Sequence, residues 1–299
     1  MINGLFTAAA PLMLAGLGAL LTELSGVLGV FIEGFMTLGA FFAWIIAGWT
    51  GSVFWGALIT AAFSALAGWG LARFVHISGA NPFIAGLALN LAAGGLTDSL
   101  SSLWFGTKGV LRNPDIPIPG PLDIPVLKDI PLLGSLISGQ LPYVYIAWAF
   151  IVLAALVIGR TPIGLRLRAS GLSAGAAVER GVHPARYREG AWAAAAFLAA
   201  LAGAALTFRV GAYAPGGIAG RGWISLAAVY LGFRRVWGLA AASLVIALAE
   251  RAGIGAQMFG TLPATILLGL PSALALFLYS VSHVFHRSTA ISVGGERDL

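Results

Sequence analysis

Long runs of apolar residues constrain this chain more than any other feature of its 299 residues. Hydrophobic residues make up 59% of the chain and charged residues only 9%, whereas a soluble domain carries about 25% charged residues. A helix needs roughly 20 mostly apolar residues to cross the ~30 Å hydrocarbon core of a bilayer. The runs therefore predict an all-α, polytopic transmembrane helical bundle with about eight or nine spans, forming a single domain over residues 1–299.

The predicted spans are mostly apolar, and their boundaries follow the hydrophobic runs. In chain order they cover Leu5–Leu21, Phe31–Trp49, Val53–Phe74, Phe83–Trp104, Leu141–Ile158, Ala191–Thr207, a short Trp223–Gly232, Trp237–Ala249 and Met258–Val284. The chain contains 41 glycines and many alanines, and such small residues let transmembrane helices approach closely.

Basic residues predict how the bundle is oriented in the membrane. The segment between the fifth and sixth spans, residues 161–189, is rich in arginine, and such loops are cytoplasmic. Counting the spans from it places the C-terminus in the cytoplasm and the N-terminus outside. The net charge of +6 is then explained by cytoplasmic loops rather than by nucleic-acid binding.

The same count places residues 106–140 outside. This segment contains six prolines, which disfavour helix. The sequence predicts an external loop there, either a connector or a contact surface for an extracytoplasmic partner.

Few residues suit catalysis or metal binding. The chain has no cysteine, so disulfides and thiolate chemistry are excluded. Its four histidines, predicted near the cytoplasmic surface, are better explained as loop residues than as metal ligands or catalytic bases; they are His76, His183, His283 and His286. We therefore expect neither an enzyme nor a metal or cofactor site in this chain.

An internal similarity relates two distant segments. Glu33–Ala40 resembles Arg221–Ala228, a Trp-Gly pair follows each copy, and a glycine-interrupted stretch precedes each. By the loop count the copies are inverted, an arrangement typical of transporters, in which broken helices line the substrate path. Chance similarity between two stretches rich in glycine and alanine is the alternative.

Polar residues near these breaks and in the fourth span are candidates for the substrate path. Glu33 and Arg221 occupy matching positions, and either a salt bridge between them or contact with substrate fits the sequence. The polar residues of the fourth span lie near one helical face, which either lines a pore or forms interhelical hydrogen bonds. The predicted path comprises Glu33, Thr37, Asn90, Thr97, Ser101, Arg221 and Ser225.

The basic loop of residues 161–189 also contains a predicted short helix. Glycines at 171 and 181 bracket a short stretch, Ser173–Arg180, that is predicted to form an amphipathic helix. Ser173 is a suitable N-cap, since its hydroxyl can accept a bond from a free backbone N–H.

Several motifs, in the same order along the chain, resemble permease subunits of bacterial ABC importers of the simple-sugar and nucleoside branch, in the superfamily of ribose and branched-chain amino acid permeases. The matching stretches are GLRLRA (164–169), AAVERG (176–181), SGVLGVFIEGFMTLGA (25–40), GLALNL (86–91) and GRGWI (220–224). Gly29 departs from the asparagine often found there, and the loop lacks the longer EAA motif of other importer permeases.

The resemblance implies ATP-driven import. A separate ATPase subunit would bind the ATP, because this chain has no Walker A motif, and would dock on a coupling helix around Ser173–Gly181. The residues implied in coupling are Arg168, Ser173, Ala176, Ala177, Glu179, Arg180 and Gly181. The other implied partners are a second permease, identical or different, and an extracytoplasmic substrate-binding protein, at the bacterial inner membrane. A nucleoside or simple sugar is the implied solute. A branched-chain amino acid permease and an ion-gradient-driven secondary transporter are the alternatives.

Overall fold

The structure, a computed structural model, describes residues 2–122 and 138–257. The predicted ninth span, Met258–Val284, and the C-terminus that was predicted to be cytoplasmic lie outside the described residues, as does part of the proline-rich segment. The described chain forms ten helices: α1 (Ile2–Leu24), α2 (Ile32–Thr50), α3 (Val53–Ser78), α4 (Pro82–Phe105), α5 (Pro142–Arg160), α6 (Pro162–Leu172), α7 (Ala174–Glu179), α8 (Pro184–Val210), α9 (Arg221–Leu231) and α10 (Val236–Gln257).

Seven of these helices, α1 to α5, α8 and α10, are long and apolar enough to cross a membrane. The predicted all-α polytopic bundle is confirmed. Helix α9 has 11 residues and is therefore about 16 Å long at 1.5 Å per residue, which is half of a bilayer core. Within the basic loop, residues 162–172 form a helix, α6, that the sequence analysis did not predict.

Prolines and glycines set many of the helix ends. Pro82, Pro142 and Pro162 each lie in the first turn of a helix, where the missing N–H would have no intrahelical partner. Helices α3 and α4 end at Gly79 and Gly106, both in the left-handed conformation, which glycine adopts without steric penalty. Each of these prolines and glycines acts on the end of its own helix, so these end signals are local in the sequence.

The alanine-rich helix α8 lies at the centre of the bundle and packs against α1, α2 and α3. Its buried face is made largely of small side chains, so neighbouring backbones come very close. A Cβ added at Gly203 would collide with the carbonyl oxygen of Met36, and one added at Gly18 would lie 2.9 Å from the carbonyl oxygen of Ala195. Close backbone packing of this kind holds helices together in lipid, where the hydrophobic effect between helices is absent.

The bundle has two distinct ends. The basic end comprises α6, α7 and the residues that touch them, whereas the proline-rich end comprises residues 107–122. At the proline-rich end, Leu111 and Tyr213 exchange two backbone hydrogen bonds of 2.8 and 3.0 Å. The start of the proline-rich segment is thereby fixed to the chain between α8 and α9.

Helices α3 and α4 present an apolar outer surface. Within the described residues, α4 packs mainly on α2, and its outward side chains remain exposed. The large exposed apolar side chains of these two helices are Phe54, Trp55, Phe63, Leu66, Trp69, Phe74, Ile77, Phe83, Ile84, Leu87, Leu91, Leu96, Leu103, Trp104 and Phe105. A surface of this composition fits lipid or another membrane-spanning chain.

Candidate solute path and coupling region

Two non-helical breaks interrupt the long helices of the bundle. The first break, residues 25–31, follows the end of α1. There the backbone N–H of Gly26 donates to Glu23 and that of Val27 donates to Thr22, at 3.0 and 3.2 Å. Gly26 has a φ of 85°. This pattern is a Schellman motif, which ends α1 sharply.

The second break, residues 211–220, joins α8 to α9. It contains several residues in the left-handed region, among them Gly211, Gly216, Ala219 and Gly220. Hydrogen bonds from Gly217 to Ala214 (2.9 Å) and from Ala219 to Gly216 (3.0 Å) close successive turns within it. The segment is therefore a compact, non-helical stretch of the kind tolerated at membrane depth only beside protein or a water-filled cavity.

Glu33 joins the two breaks. Its Oε1 accepts a hydrogen bond from the backbone N–H of Gly220 (2.9 Å), and its Oε2 accepts one from Gly222 (2.6 Å). These amides belong to the N-terminus of α9, where free N–H groups and the helix dipole favour an anion. The two amides thus replace hydrogen bonds that water would otherwise donate to this carboxylate.

The salt bridge between Glu33 and Arg221 that the sequence left open does not form. The Arg221 guanidinium instead lies 3.8 Å from Glu250 Oε2 on α10 and 3.5 Å from the carbonyl oxygen of Gly217. The two residues are neighbours, but each has its own partners.

Helices α2 and α9 begin at this junction and run to opposite ends. The far end of α2 lies at the proline-rich end, since a Cβ added at Gly48 would lie 3.2 Å from Asn113. The far end of α9 reaches the C-terminus of α1, where the Tyr230 hydroxyl donates to Glu23 (2.9 Å). The two similar segments therefore begin helices that run in opposite directions, as the inverted repeat predicts; α2 has the length of a membrane span and α9 about half of it.

A cavity of about 280 Å³ lies between the junction and the proline-rich end. Two predicted residues, Thr37 and Arg221, line it, together with Arg209, Tyr213 and backbone of the second break. Its walls combine hydroxyl and guanidinium donors with apolar surface, and its volume lies near the lower end of ligand sites. The arrangement suits a small, polar, hydrogen-bonding solute.

Arg209 and Tyr213 were missed in the sequence analysis. Arg209 lies in the last turn of α8. An ionisable residue at the end of an apolar span is a candidate functional residue, and this feature of the sequence could have identified it. Tyr213 had no comparable signal. Its position depends on the pairing with Leu111 and on ring contact with Phe41 at a centroid distance of 5.1 Å.

The predicted polar face of α4 is directed mostly into the protein. Thr97 and Ser101 are buried. Thr97 forms a side-chain hydrogen bond with Tyr213, a residue of the cavity wall, but does not itself line the cavity. The Ser101 hydroxyl donates to the carbonyl oxygen of Thr107 (2.8 Å). The alternative to pore lining was interhelical hydrogen bonding, and these two hydroxyls form other internal bonds: Thr97 bonds within α4 and to Tyr213, and Ser101 bonds to the segment that follows α4.

Asn90 links α4 to the start of α2. Its Oδ1 accepts a hydrogen bond from the backbone N–H of Gly34 (2.7 Å), and its Nδ2 donates to the carbonyl oxygen of Val30 (2.9 Å). Both ends of the amide are therefore engaged, and the side chain bridges the end of the first break.

Thr37 and Ser225 occupy matching positions in the two copies but differ in surroundings. The Thr37 hydroxyl donates to the carbonyl oxygen of Glu33 (2.9 Å) and faces the cavity. Ser225 is fully buried, and its hydroxyl donates to the carbonyl oxygen of Gly222 (2.7 Å). Of the two, Thr37 is the one placed to contact a solute.

The helix predicted at Ser173–Arg180 is present as α7. The Ser173 hydroxyl accepts a bond from the backbone N–H of Ala176 (3.3 Å), so Ser173 is its N-cap as predicted. Gly181 (φ 72°) and Val182 close its C-terminus with bonds of 2.9 Å each. Ala177 is the buried anchor of this helix.

The other residues predicted for coupling form an outward surface. Arg168, Ala176, Glu179, Arg180 and Gly181 are exposed. Next to them, at the basic end, Arg166, Arg180, His183 and Arg186 line a cavity of about 310 Å³. The surface is therefore strongly cationic and available to a partner.

Comparisons with known proteins show the family to which this chain belongs. A family model described as branched-chain amino acid transport system / permease component matches residues 1–282. The nucleoside ABC transporter permease protein NupC of Lactococcus lactis is 32% identical over 90% of this chain and 89% of its own length. The guanosine ABC transporter permease protein NupQ of Bacillus subtilis is 29% identical over 82% of this chain and 79% of its own.

An archaeal protein is similar over an equally long region. The putative glucose ABC transporter permease protein TsgC13 of Haloferax volcanii is 30% identical over 92% of this chain and 79% of its own length. No solved structure matches the chain.

Proposed function

Because the chain belongs to the family of branched-chain amino acid transport system permease components and is a multi-pass permease of the ABC importer type, we propose that its solute is a nucleoside and that the cavity beside Thr37 and Arg221 is part of the import path. The observation that carries this proposal is the meeting of the antiparallel helices α2 and α9 at Glu33, with a polar cavity directly beside the junction. Substrate sites of transporters are commonly built at such discontinuities.

The cavity donors fit the chemistry of a nucleoside. The guanidinium groups of Arg209 and Arg221 can donate to ribose hydroxyls and to the carbonyl oxygens of a base. The Thr37 oxygen, whose proton is donated to the Glu33 carbonyl, can accept from a ribose hydroxyl, and none of these contacts requires charge on the solute. Two relatives carry the names of nucleoside and guanosine permeases, which favours the same solute class. A simple sugar is the second candidate, because the Haloferax volcanii relative is named for glucose.

Energy enters at the basic end in this proposal. Helix α7 and its flanking arginines form the docking surface for a separate ATPase subunit, which binds the ATP. The basic end is cytoplasmic by its arginine content, so the proline-rich end faces outward in the inner membrane of a bacterium, towards a substrate-binding protein. A second permease, identical or different, completes the path.

Reconstituted transport tests the proposal. The chain is purified with its ATPase and second permease, placed in proteoliposomes with the binding protein, and supplied with labelled guanosine, adenosine, ribose or glucose. We expect ATP-dependent uptake of nucleosides that unlabelled ribose does not inhibit. Uptake of glucose alone would establish the second candidate, and uptake driven by an ion gradient without ATP would contradict the importer mechanism.

The variant Thr37→Val probes the cavity directly, since it removes the hydroxyl but keeps the shape of the side chain. Loss of one hydrogen bond of about 1 kcal/mol predicts a KM for uptake about fivefold higher. Ser99→Ala, at an exposed position of α4, is the matched control and leaves KM unchanged. An unchanged KM in Thr37→Val would remove Thr37 from the path.

A further inference from the structure

Arg188, in the second turn of α8, connects two parts of the basic end. Its Nε donates to the carbonyl oxygen of Ser25 (3.2 Å), and its Nη2 donates to the carbonyl oxygen of Ser170 (3.4 Å). Ser25 is the first residue of the first break, and Ser170 belongs to α6. One guanidinium therefore bridges α6 and the end of α1 with two charge-assisted hydrogen bonds.

The backbones of the same two elements are in direct contact. A Cβ added at Gly26 would lie 2.8 Å from the Cα of Gly171, and one added at Gly171 would collide with the carbonyl oxygen of Leu24. A displacement of α6 towards or away from the bundle must therefore move the end of α1 or open this contact.

Hydrogen bonds and helix caps hold both sides of the contact. The Schellman motif at Thr22–Val27 fixes the Ser25 carbonyl, and the Ser25 hydroxyl adds a 2.7 Å bond to the carbonyl oxygen of Thr22. On the other side, Ser173 is at once the C-cap of α6 and the N-cap of α7. A force on α7 is therefore transferred to α6 without an intervening flexible linker.

The first break continues from Ser25 directly to the solute path. Residues 26–31 join Ser25 to α2, and Asn90 holds the carbonyl oxygen of Val30 at the far side. One turn later, Glu33 caps α9. Arg188 thus stands at the cytoplasmic end of a short, continuous chain of contacts that ends at the cavity.

We infer that Arg188 is a positioning residue of the import cycle, which transmits movement of the α6–α7 unit through the Ser25 carbonyl to the first break and so to the Glu33–α9 junction. The inference rests on the proposed docking of an ATPase at α7. It assigns to Arg188 a role in coupling that is separate from docking itself and from contact with the solute.

Thiol labelling separates coupling from docking, because the natural chain has no cysteine. Two reporters are introduced singly: Val27→Cys, in the first break, and Val178→Cys, exposed on α7. We call them the break reporter and the docking reporter. Labelling rates are measured in the assembled complex, with and without a non-hydrolysable ATP analogue, for the natural Arg188, Arg188→Ala and Arg188→Lys. Arg160→Ala, an exposed arginine at the end of α5, is the matched control for loss of charge.

With Arg188 present, we expect the ATPase to protect the docking reporter and the nucleotide to change the labelling rate of the break reporter severalfold. Arg188→Ala keeps the protection of the docking reporter but loses the response of the break reporter, and solutes imported per ATP hydrolysed fall about tenfold. Arg188→Lys, which retains the charge but cannot bridge both carbonyls, gives an intermediate response. Arg160→Ala behaves as the parent.

A full response of the break reporter in Arg188→Ala would overturn the inference, as would a parent complex in which the docking reporter is protected but the break reporter never responds. If Arg188→Ala does not assemble, the same measurements on Arg188→Lys decide, and an undiminished response there overturns it. Absence of protection of the docking reporter in the parent would instead contradict the proposed ATPase docking at α7.

Discussion

The carboxylate of Glu33 lies 2.6 Å from the backbone nitrogen of Gly222, and this contact joins the first turns of α2 and α9, two helices that run in opposite directions. The Glu33 charge is held by the N-terminus of α9 rather than by an arginine. Matching segments of an inverted repeat are thus connected by a side chain of one copy and the backbone of the other.

Replacing Glu33 should weaken this junction. Glu33→Ala leaves two inward amides of α9 without an acceptor, and we expect the free energy of unfolding to fall by about 3 kcal/mol with loss of transport. Glu33→Gln keeps one acceptor oxygen, and its free energy of unfolding should lie between those of the parent and Glu33→Ala. Denaturation in detergent micelles and uptake assays measure both, with the exposed Asp115→Asn as the control for loss of a carboxylate. Stability equal to the parent in Glu33→Ala would mean that water replaces the carboxylate.

The amide of Asn90 should be intolerant of a change that keeps its shape. Asn90→Asp retains the acceptor for Gly34 but places a second acceptor against the carbonyl oxygen of Val30, so we expect a loss of about 1–3 kcal/mol. Thermal denaturation of the purified protein tests this. Ser99→Ala on the same helix should leave the melting temperature unchanged, and equal melting temperatures for the two variants would contradict the bridge.

Two glycines of α8 should respond oppositely to alanine. In Gly203→Ala the new methyl group collides with the Met36 carbonyl, and overpacking should reduce stability by about 1–3 kcal/mol. At Gly190 a Cβ meets nothing within 4 Å, so Gly190→Ala should be neutral or stabilising by about 0.5–1 kcal/mol. Denaturation curves of the two variants, measured in parallel, test this. Equal destabilisation by both variants would contradict the close contact between Gly203 and the Met36 carbonyl.

The N-cap of α7 should matter for energy coupling. Ser173→Ala removes the bond to the Ala176 amide and should destabilise this short helix by about 1 kcal/mol. We expect several times less solute-stimulated ATP hydrolysis by the complex. Ser173→Asp, which restores a capping oxygen, should restore the activity. Failure of the aspartate variant, with unchanged assembly, would show that the hydroxyl acts in another way.

Much of the fold follows from local sequence signals. Apolar runs of bilayer length give the spans, and residues such as Pro82 and Gly106 give their ends, because each acts through the backbone of its own helix. The N-cap role of Ser173 is local in the same sense and was predicted correctly. Helix α6 was missed because its apolar residues do not follow a clear helical period.

The candidate site was only partly predictable. Glu33 and Arg221 were identified from the repeat, yet their actual partners, the α9 amides and Glu250, depend on how distant helices pack. Arg209 and Tyr213 became part of the cavity wall through the fold of the second break and its pairing with Leu111. Such contacts join residues far apart in the chain, and no local pattern encodes them.

The sequence by itself therefore determined a membrane-spanning, helical permease with a capped helix in its basic loop, since hydropathy, end signals and motifs are properties of contiguous residues. Tertiary structure alone decided that Glu33 caps α9, that Asn90 bridges two helices and that Arg188 connects α6 to the first break. Each of these depends on backbone groups brought within 3.5 Å of a side chain by packing, where a shift of one helical turn would leave the polar group without its partner.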